Sequence, residues 1–344
     1  MSDLNFRSVK LSDYTTIKLG GAASKFVECR TDKDLFDAVA FAAEHGMRFH
    51  VLGGGSNTVF PDEGYDGMIV YVNTKGIEKA GDLFAVKAGE RWDDFVKYAV
   101  GLNYSGIECL SGIPGSTGAT PIQNVGAYGA EVSNVIETVK AIDVRTLKAV
   151  EFKNAECDFS YRNSRFKSAD KNRFIVTEVV FRLNASRAAE IKYKELDDYL
   201  GTYHGIYSLN NVRDAVMSIR GKKSMVYDEN DGDSHSCGSF FTNPVLNSAE
   251  FESFISVCKS LNLEANSFRA GDRYKISAAW LIEKAGFEKG FTENGIGISN
   301  KHTLAIVNRG GSASELIEFS ERIKQTVYNK FKISLEREPE VVLG

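Results

Sequence analysis

Residues 111–131 read SGIPGSTGATPIQNVGAYGAE, with glycines at 112, 115, 118, 126 and 129, prolines at 114 and 121, and no charged side chain before Glu131. Glycine, lacking a Cβ, permits positive φ and close approach of a ligand to the backbone, so a charge-free loop of this kind can turn a row of N–H donors toward an anion such as a phosphate. The same composition also describes a plain surface loop between strands. A second cluster upstream, Gly53-Gly54-Gly55-Ser56-Asn57, favours the anion reading, because it gives the chain two candidate cradles.

Neither cradle is a dinucleotide or P-loop motif. In those units the glycine loop follows a strand and opens a helix. Here the short strand Arg48–Leu52 enters GGGSN, but the continuation TVFPDEGYDGMIVYV is a turn followed by another strand. Phosphate binding must then come from loop backbone between strands, as in a flavin fold built on strand-to-strand loops.

Outward from these loops the chain alternates helix and strand. Thr31 caps a helix with Asp34 three residues on, residues 35, 36, 39, 42 and 43 form its apolar face, and Gly46 suits its end. Residues 14–30 are short extended segments around the Gly20-Gly21 turn. Phe84–Ala88 reads as a strand, and Trp92–Leu102 as a helix burying Trp92, Phe95, Val96 and Ala99. VIETVKAIDV and KAVEF form a hairpin around Arg145-Thr146-Leu147, and Phe174–Leu183 is a further strand. Between them CDFSYRNSRFK places Tyr161, Arg162, Asn163 and Ser164 on a polar connection. After Asn184 the texture turns polar through residues 187–235, which reads as a domain junction. The remainder is α+β: the strand GSFFTN, a helix from Asn247 with apolar positions 251, 254, 255, 258 and 261, the helix SAAWLIEKA stopped by Gly286, the strand TLAIVN, and a helix capped by Ser312 and Glu315 with Leu316, Phe319, Ile323, Val327 and Phe331 inward.

Composition excludes several classes. The 344 residues suffice for two or three domains, and 43% hydrophobic with 26% charged is ordinary for a globular protein. A formal charge of −4 disfavours nucleic acid or an anionic membrane as partner, since both require a basic footprint. Cys29, Cys109, Cys157, Cys237 and Cys258 are scattered and odd in number, as suits buried thiols in a reducing compartment rather than a disulfide framework. No apolar run is long enough to span a membrane, and the opening MSDLNFRSVKLSD lacks a signal-peptide core, so a cytoplasmic location is expected. Histidines 45, 50, 204, 235 and 302 show no metal-ligand spacing, and no G-x-S-x-G elbow occurs. What remains is a set of isolated polar residues beside apolar or glycine-rich sequence, namely Arg162, Lys223, Ser239, Asn243 and Glu338.

In order along the chain, YTTIKLGG, VLGGGSN, IPGSTGATPIQNVGAYGAE, FSYRNSRFK, GSFFTNP, SAAWLIEKAGFEKG and LEREPE resemble the UDP-N-acetylenolpyruvoylglucosamine reductases, flavoenzymes of peptidoglycan precursor synthesis. The resemblance implies an α+β fold: a two-lobed FAD-binding domain of the vanillyl-alcohol-oxidase type plus a C-terminal α+β substrate-binding domain. The expected division is residues 1–72 and 73–210 for the two FAD lobes, 211–330 for the substrate domain, and 331–344 for a strand returning to the active site. By the same resemblance noncovalent FAD is held by Gly53, Gly54, Gly55, Ser56 and Asn57 and by Pro114, Gly115, Ser116, Gly118, Ala119, Gln123, Asn124, Gly126, Ala127 and Tyr128. NADPH reduces the FAD, which passes hydride to C3 of the enolpyruvyl ether, leaving charge at C2.

Matching the family's motifs residue by residue, Arg162 stabilises the enolate, Ser239 protonates C2, and Glu338 cooperates with the arginine. Tyr193 resembles the tyrosine covering the uridine nucleotide. Tyr161, Lys223, Asn243 and His302 fall at substrate-contacting positions. The expected partners are the UDP-sugar and NADPH, with no nucleic acid, no membrane and no metal, and the chain is expected to be a monomer.

The chain departs from the family pattern at three places. KSMVYDENDGDSHS replaces the shorter K-L-P-D-P, His302 stands where relatives carry glutamine, and Glu340 replaces an arginine that contacts flavin. Two registers are open at the end: anchoring on E-P-E-V selects Glu340, whereas the ungapped helix end KFKISL selects Glu338, the register preferred here. The rival readings are a flavin oxidase of the related superfamily, which often tethers its flavin through His or Cys absent from both loops, and a non-catalytic flavin or nucleotide-sugar binder.

Overall fold

The computed structural model describes residues 4–186, 189, 191, 193–201 and 207–343. Its chain divides into two compact units. The first contains residues 1–9, 22–55 and 65–226; the second contains residues 10–21, 56–64 and 227–344.

The two larger sheets of the first unit share one core. In the four-stranded sheet the order is Arg7–Lys10, Ala22–Cys29, Tyr65–Val72, Phe49–Leu52, and Tyr65–Val72 runs parallel to both of its neighbours. Parallel neighbours need crossovers. One is helix α1 (Asp32–Glu44), where Thr31 and Asp34 form the expected reciprocal cap at 3.1 and 2.9 Å and Gly46 takes φ +58°. The buried face is Leu35, Ala38, Val39 and Ala42; Phe36 and Ala43, expected on it, are exposed.

The five-stranded sheet is antiparallel, in the order Lys148–Lys153, Ile136–Asp143, Phe174–Arg182, Leu83–Lys87, Ile77–Ala80. Helix α2 (Trp92–Gly101) buries Trp92, Phe95, Val96 and Ala99 as its periodicity predicts, and the indole N–H of Trp92 donates to the Leu110 carbonyl at 2.9 Å. Residues of both sheets and of α1 and α2 form one continuous hydrophobic cluster. Each buried aromatic there contributes roughly 1.5–3 kcal/mol.

The boundary between the two units at 226/227 falls within the polar stretch 187–235 that reads as a junction. Helices α3 (Lys194–Leu200) and α4 (Leu209–Lys222) bury Leu196, Leu200, Val212, Ala215, Val216 and Ile219 with Cys109. Their surfaces are polar because only one face packs.

In the second unit Ser236–Ser239 pairs with Ala305–Asn308, followed in order by Ile296–Ile298 and Thr292–Glu293; a three-stranded sheet runs Val245–Leu246, Arg273–Ile276, Ser267–Ala270. Helices α5 (Ser248–Ser260), α6 (Ala278–Lys284) and α7 (Ala313–Phe331) surround them. The cap Ser312/Glu315 forms as expected, and Leu316, Phe319, Ile323, Val327 and Phe331 are buried. Ile17, Leu19 and Val59 join this core, which explains why residues 10–21 and 56–64 leave the first unit. No helix among the described residues is long and apolar enough to cross a membrane.

Candidate active site

The residues singled out in the sequence divide between the two units. In the first unit the two glycine loops touch. A Cβ on Gly54 would lie 2.6 Å from the Gly115 Cα, and one on Gly53 would lie 2.4 Å from the Ser116 hydroxyl. These glycines thus serve the approach of loop to loop. Within the second loop the N–H groups of Thr117, Gly118 and Ala119 bond to the carbonyls of Glu90, Ala88 and Ser116 at 2.8, 2.8 and 3.1 Å. Donors for an anion must therefore come from elsewhere in the two loops. The Thr117 hydroxyl is buried without a hydrogen-bond partner in the protein, so it is available to a bound group. Gly112 N–H bonds Asp93 at 2.6 Å, and the same carboxylate takes both arms of Arg213 at 2.6 and 2.7 Å, which fixes the loop's entry to α2 and α4. Burial pushes the Asp93 carboxyl upward, but the hydrogen bonds from Arg213 and Gly112 outweigh it and hold it below its ordinary 3.8.

Arg162 occupies a tight turn. Ser160 and Asn163 exchange backbone hydrogen bonds at 3.0 and 3.1 Å, leaving Tyr161 and Arg162 as the two central residues, with Arg162 at φ +54°. Its Nη2 donates to the Gly126 carbonyl at 2.6 Å, and the guanidinium carbon stands 5.3 Å from the Tyr161 ring. Ser164 is fully buried and donates to the Ile122 carbonyl at 2.6 Å, tying this turn to the glycine-rich loop. Asn124, also left-handed at φ +48°, accepts from Ser133 N–H and donates to Glu131 and to the Ser160 carbonyl. Its side-chain N–H groups are thereby committed to the protein.

Tyr128, at φ +49°, meets Tyr193 edge-to-face at 5.4 Å. Burial pushes the Tyr128 phenol up to about 12. Beside it Arg220 is buried with its Nε unpartnered, and burial lowers the guanidinium's pKa. Lys223, at the end of α4, pairs with Glu195 of α3 at 2.6 Å. Asp93, Arg213, Arg220 and Glu195 were missed in the sequence because ordinary charged helix positions carry no local signature. Of the histidines, His204 lies outside the described residues.

In the second unit Ser239 ends the strand Ser236–Ser239 opposite Ala305. Immediately after it, Phe240 accepts the Glu338 N–H at 3.0 Å, and Thr242 N–H donates to Glu336 at 3.0 Å. Asn57 Nδ2 donates to the Glu338 carbonyl at 3.2 Å, while Glu340 N–H donates to the Asn57 carbonyl at 2.9 Å. The chain end is thus tied at Glu338 to the strand bearing Ser239, and Glu340–Val341 runs parallel to Thr58–Val59. Asn243 Oδ1 accepts from Ala278 N–H at 2.9 Å at the start of α6. His302 lies in the turn between Ser299 and Leu304, where its Nδ1 accepts from Leu304 N–H at 3.3 Å. Residues 228–235, within the segment that departs from the family pattern, fold onto that turn: Asp233, buried, accepts from Ser299 Oγ at 3.0 Å, Asn300 N–H at 2.7 Å and Arg309 at 2.7 Å. Among the described residues no group of three or more His, Cys, Asp or Glu side chains is placed to hold a metal.

Two family models match the chain. One, described as an FAD binding domain, covers residues 23–148; the other, described as the UDP-N-acetylenolpyruvoylglucosamine reductase C-terminal domain, covers residues 230–342. A UDP-N-acetylenolpyruvoylglucosamine reductase of Thermobifida fusca is 43% identical over 98% of this chain and 98% of its own, and one of Streptomyces coelicolor is 44% identical over 96% and 88%. The crystal structure of the corresponding reductase of Thermus caldophilus superposes with a TM-score of 0.68 at 24% identity, covering 98% of this chain and 99% of that one, a likeness of fold. With relatives this similar over nearly their full length, the chain belongs to the UDP-N-acetylenolpyruvoylglucosamine reductase family.

Proposed function

We infer that this chain reduces UDP-N-acetylglucosamine enolpyruvate to UDP-N-acetylmuramate for peptidoglycan precursor synthesis, using FAD and NADPH. The observation that carries this reading is the match to reductases along nearly the whole chain, which includes an FAD binding domain. The loops suit that cofactor: Gly53 and Gly54 lie against Gly115 and Ser116, and the buried Thr117 hydroxyl beside them has no protein hydrogen-bond partner and can be satisfied by a bound group. Gly53, Gly54, Gly55, Pro114, Gly115, Ser116 and Thr117 are the residues assigned to hold it, with Ser56 and Asn57 beyond them. Neither loop carries a His or Cys to tether it, so the attachment is noncovalent.

When bound, FAD relays two electrons as hydride from NADPH to C3 of the enolpyruvyl group. The chain's residues manage the charge and the proton that follow. The Arg162 guanidinium, held at Gly126 and beside Tyr161, stabilises negative charge on the substrate carboxylate and on the enolate. The Ser239 hydroxyl donates the proton to C2, and Glu338, whose backbone is bonded next to Ser239, supports that transfer. Tyr193 covers the uridine end, and Lys223, exchanging its Glu195 partner for phosphate, neutralises the diphosphate. Asn243 and His302 contribute to substrate contact through the loops they anchor. The protein acts as a monomer in the cytoplasm, where both UDP-sugars and NADPH are available.

Single-turnover kinetics of Ser239→Ala test the assignment. Flavin reduction by NADPH stays near its original rate while reoxidation by the enolpyruvyl substrate slows by roughly 10²-fold or more. Equal slowing of both half-reactions removes Ser239 from the proton-donor role.

A further inference from the structure

The turn that presents Arg162 is held by residues outside the motif that contains it. A left-handed φ on a residue other than glycine costs about 1–3 kcal/mol and persists only when its surroundings impose it. At Arg162 the surroundings are specific. Asn124, 1% exposed, donates from Nδ2 to the Ser160 carbonyl at 3.1 Å and to Glu131 Oε2 at 2.8 Å, while its Oδ1 accepts Ser133 N–H at 3.1 Å. An amide has two N–H donors, and both are used here to link the turn's first corner to Glu131. Glu131 is also the cross-strand partner of Gly126, whose carbonyl accepts the Arg162 guanidinium at 2.6 Å. A Cβ on Gly126 would lie 2.8 Å from Glu131 Cγ and 3.1 Å from Arg162 Nη1, so the Glu131 stem and the guanidinium both close in on Gly126.

We propose that Asn124 and Glu131 are positioning residues for Arg162: Asn124 fixes the corner of the turn, and Glu131 fixes both Asn124 and the strand whose carbonyl orients the guanidinium. The proposal rests on the assignment of Arg162 to enolate stabilisation. It removes the Asn124 side chain from the set of direct flavin donors and gives it a role one step away from the reacting atoms. Loss of either hold lets the turn relax. A displacement of about 1 Å in a charge-stabilising group costs on the order of 10²-fold in rate.

The test uses the FAD-loaded protein and the variants Asn124→Ala, Glu131→Ala, Glu131→Gln and Arg162→Ala, with each half-reaction followed separately in the absence of oxygen. Asn124→Ala and Glu131→Ala slow flavin reoxidation by the enolpyruvyl substrate by about 10- to 100-fold. Glu131→Gln keeps an acceptor oxygen for Asn124 and remains within about threefold of the parent. On the Arg162→Ala background the further loss disappears, because there is no guanidinium left to misplace; a purely structural role leaves the effects additive. A readout independent of turnover is hydrogen exchange, which accelerates at the Ser160 and Asn163 amides in Asn124→Ala. If Arg162→Ala slows reoxidation but Asn124→Ala and Glu131→Ala do not, or if their losses add fully to that of Arg162→Ala, the positioning role is refuted. If Arg162→Ala itself reoxidises at the parent rate, the assignment of Arg162 falls and this proposal with it. Should Asn124→Ala lose flavin or fold poorly, the partly exposed Glu131 pair, Ala against Gln, decides the question alone.

Discussion

Gly54→Ala probes whether the contact between the two glycine loops is what builds the FAD site. Gly54 does not have positive φ, so alanine fits its backbone, and the whole effect comes from contact. The new Cβ would stand 2.6 Å from Gly115 Cα, 2.8 Å from Gly115 C and 3.1 Å from Ser116 N, all backbone atoms. No rotamer relieves this, and the loops must part by about 0.8 Å to reach ordinary van der Waals separation. Overpacking of this kind costs roughly 1–3 kcal/mol. For a unit of this size that lowers Tm by roughly 2–12 °C. Moving the loop donors away from the cofactor by the same distance removes one or two hydrogen bonds to a charged group, and FAD affinity falls by about 10- to 100-fold. Gly53→Ala is the internal control, because its nearest clash is the Ser116 hydroxyl at 2.4 Å, while the Ser116 Cβ is already at 3.5 Å. Adding Ser116→Ala therefore restores the thermal stability of Gly53→Ala but does nothing for Gly54→Ala. Thermal melts and fluorimetric FAD titration measure both quantities. Parent-like Tm and FAD affinity in Gly54→Ala would refute the reasoning, since the loops would then not be in contact as described.

Three further outcomes are expected. Because the Asp93 carboxyl is held below 3.8 in the folded protein, its bonds contribute stability in full above that value and lose it as pH falls through the lower folded value. The Tm difference between parent and Asp93→Asn is therefore flat from about pH 5 upward and shrinks below 3.8; a gap that widens in acid contradicts it. Burial pushes the thiols of Cys29, Cys109, Cys157 and Cys237 up to about 12, so these residues stay unmodified by iodoacetamide in native protein near neutral pH and react once it is unfolded; labelling at the native stage, read by mass spectrometry, would show otherwise. Glu338→Gln slows substrate-driven flavin reoxidation by roughly 10²-fold or more, while Glu340→Gln, whose backbone bonds to Asn57, acts mainly on flavin affinity; the reverse ranking moves the supporting role beside Ser239 to Glu340.

Helices with a complete local signal were legible in the sequence. The caps at Thr31/Asp34 and Ser312/Glu315 form as read, and the buried stripes of α2 and α7 follow the 3.6-residue period. Phe36 was misplaced because its apolar neighbours satisfy more than one helical face, and only tertiary packing selects between them. The assignment of residues 10–21 and 56–64 to the second unit was not legible, since Ile17, Leu19 and Val59 are too few and too separated to show a periodicity. The polar stretch 187–235 reads as a junction and the unit boundary at 226/227 falls inside it, but helices α3 and α4 within it were not separable from a connection because a helix with one packed face is mostly polar in composition. At the candidate site the motifs single out residues but say nothing of their conformations. Asn124, Tyr128 and Arg162 all adopt left-handed backbone, which no propensity of Tyr or Arg predicts and which the surrounding hydrogen bonds impose. The partners Asp93, Arg213 and Glu131 are distant or unremarkable in sequence and become visible only as donors and acceptors in the fold.

The most direct test of the account is the absorption spectrum of the purified protein in the absence of oxygen. NADPH should bleach an FAD band, and stoichiometric UDP-N-acetylglucosamine enolpyruvate should restore it while UDP-N-acetylmuramate forms in equal amount. A flavin that NADPH reduces but that only oxygen reoxidises, or a protein that binds no FAD, would contradict it.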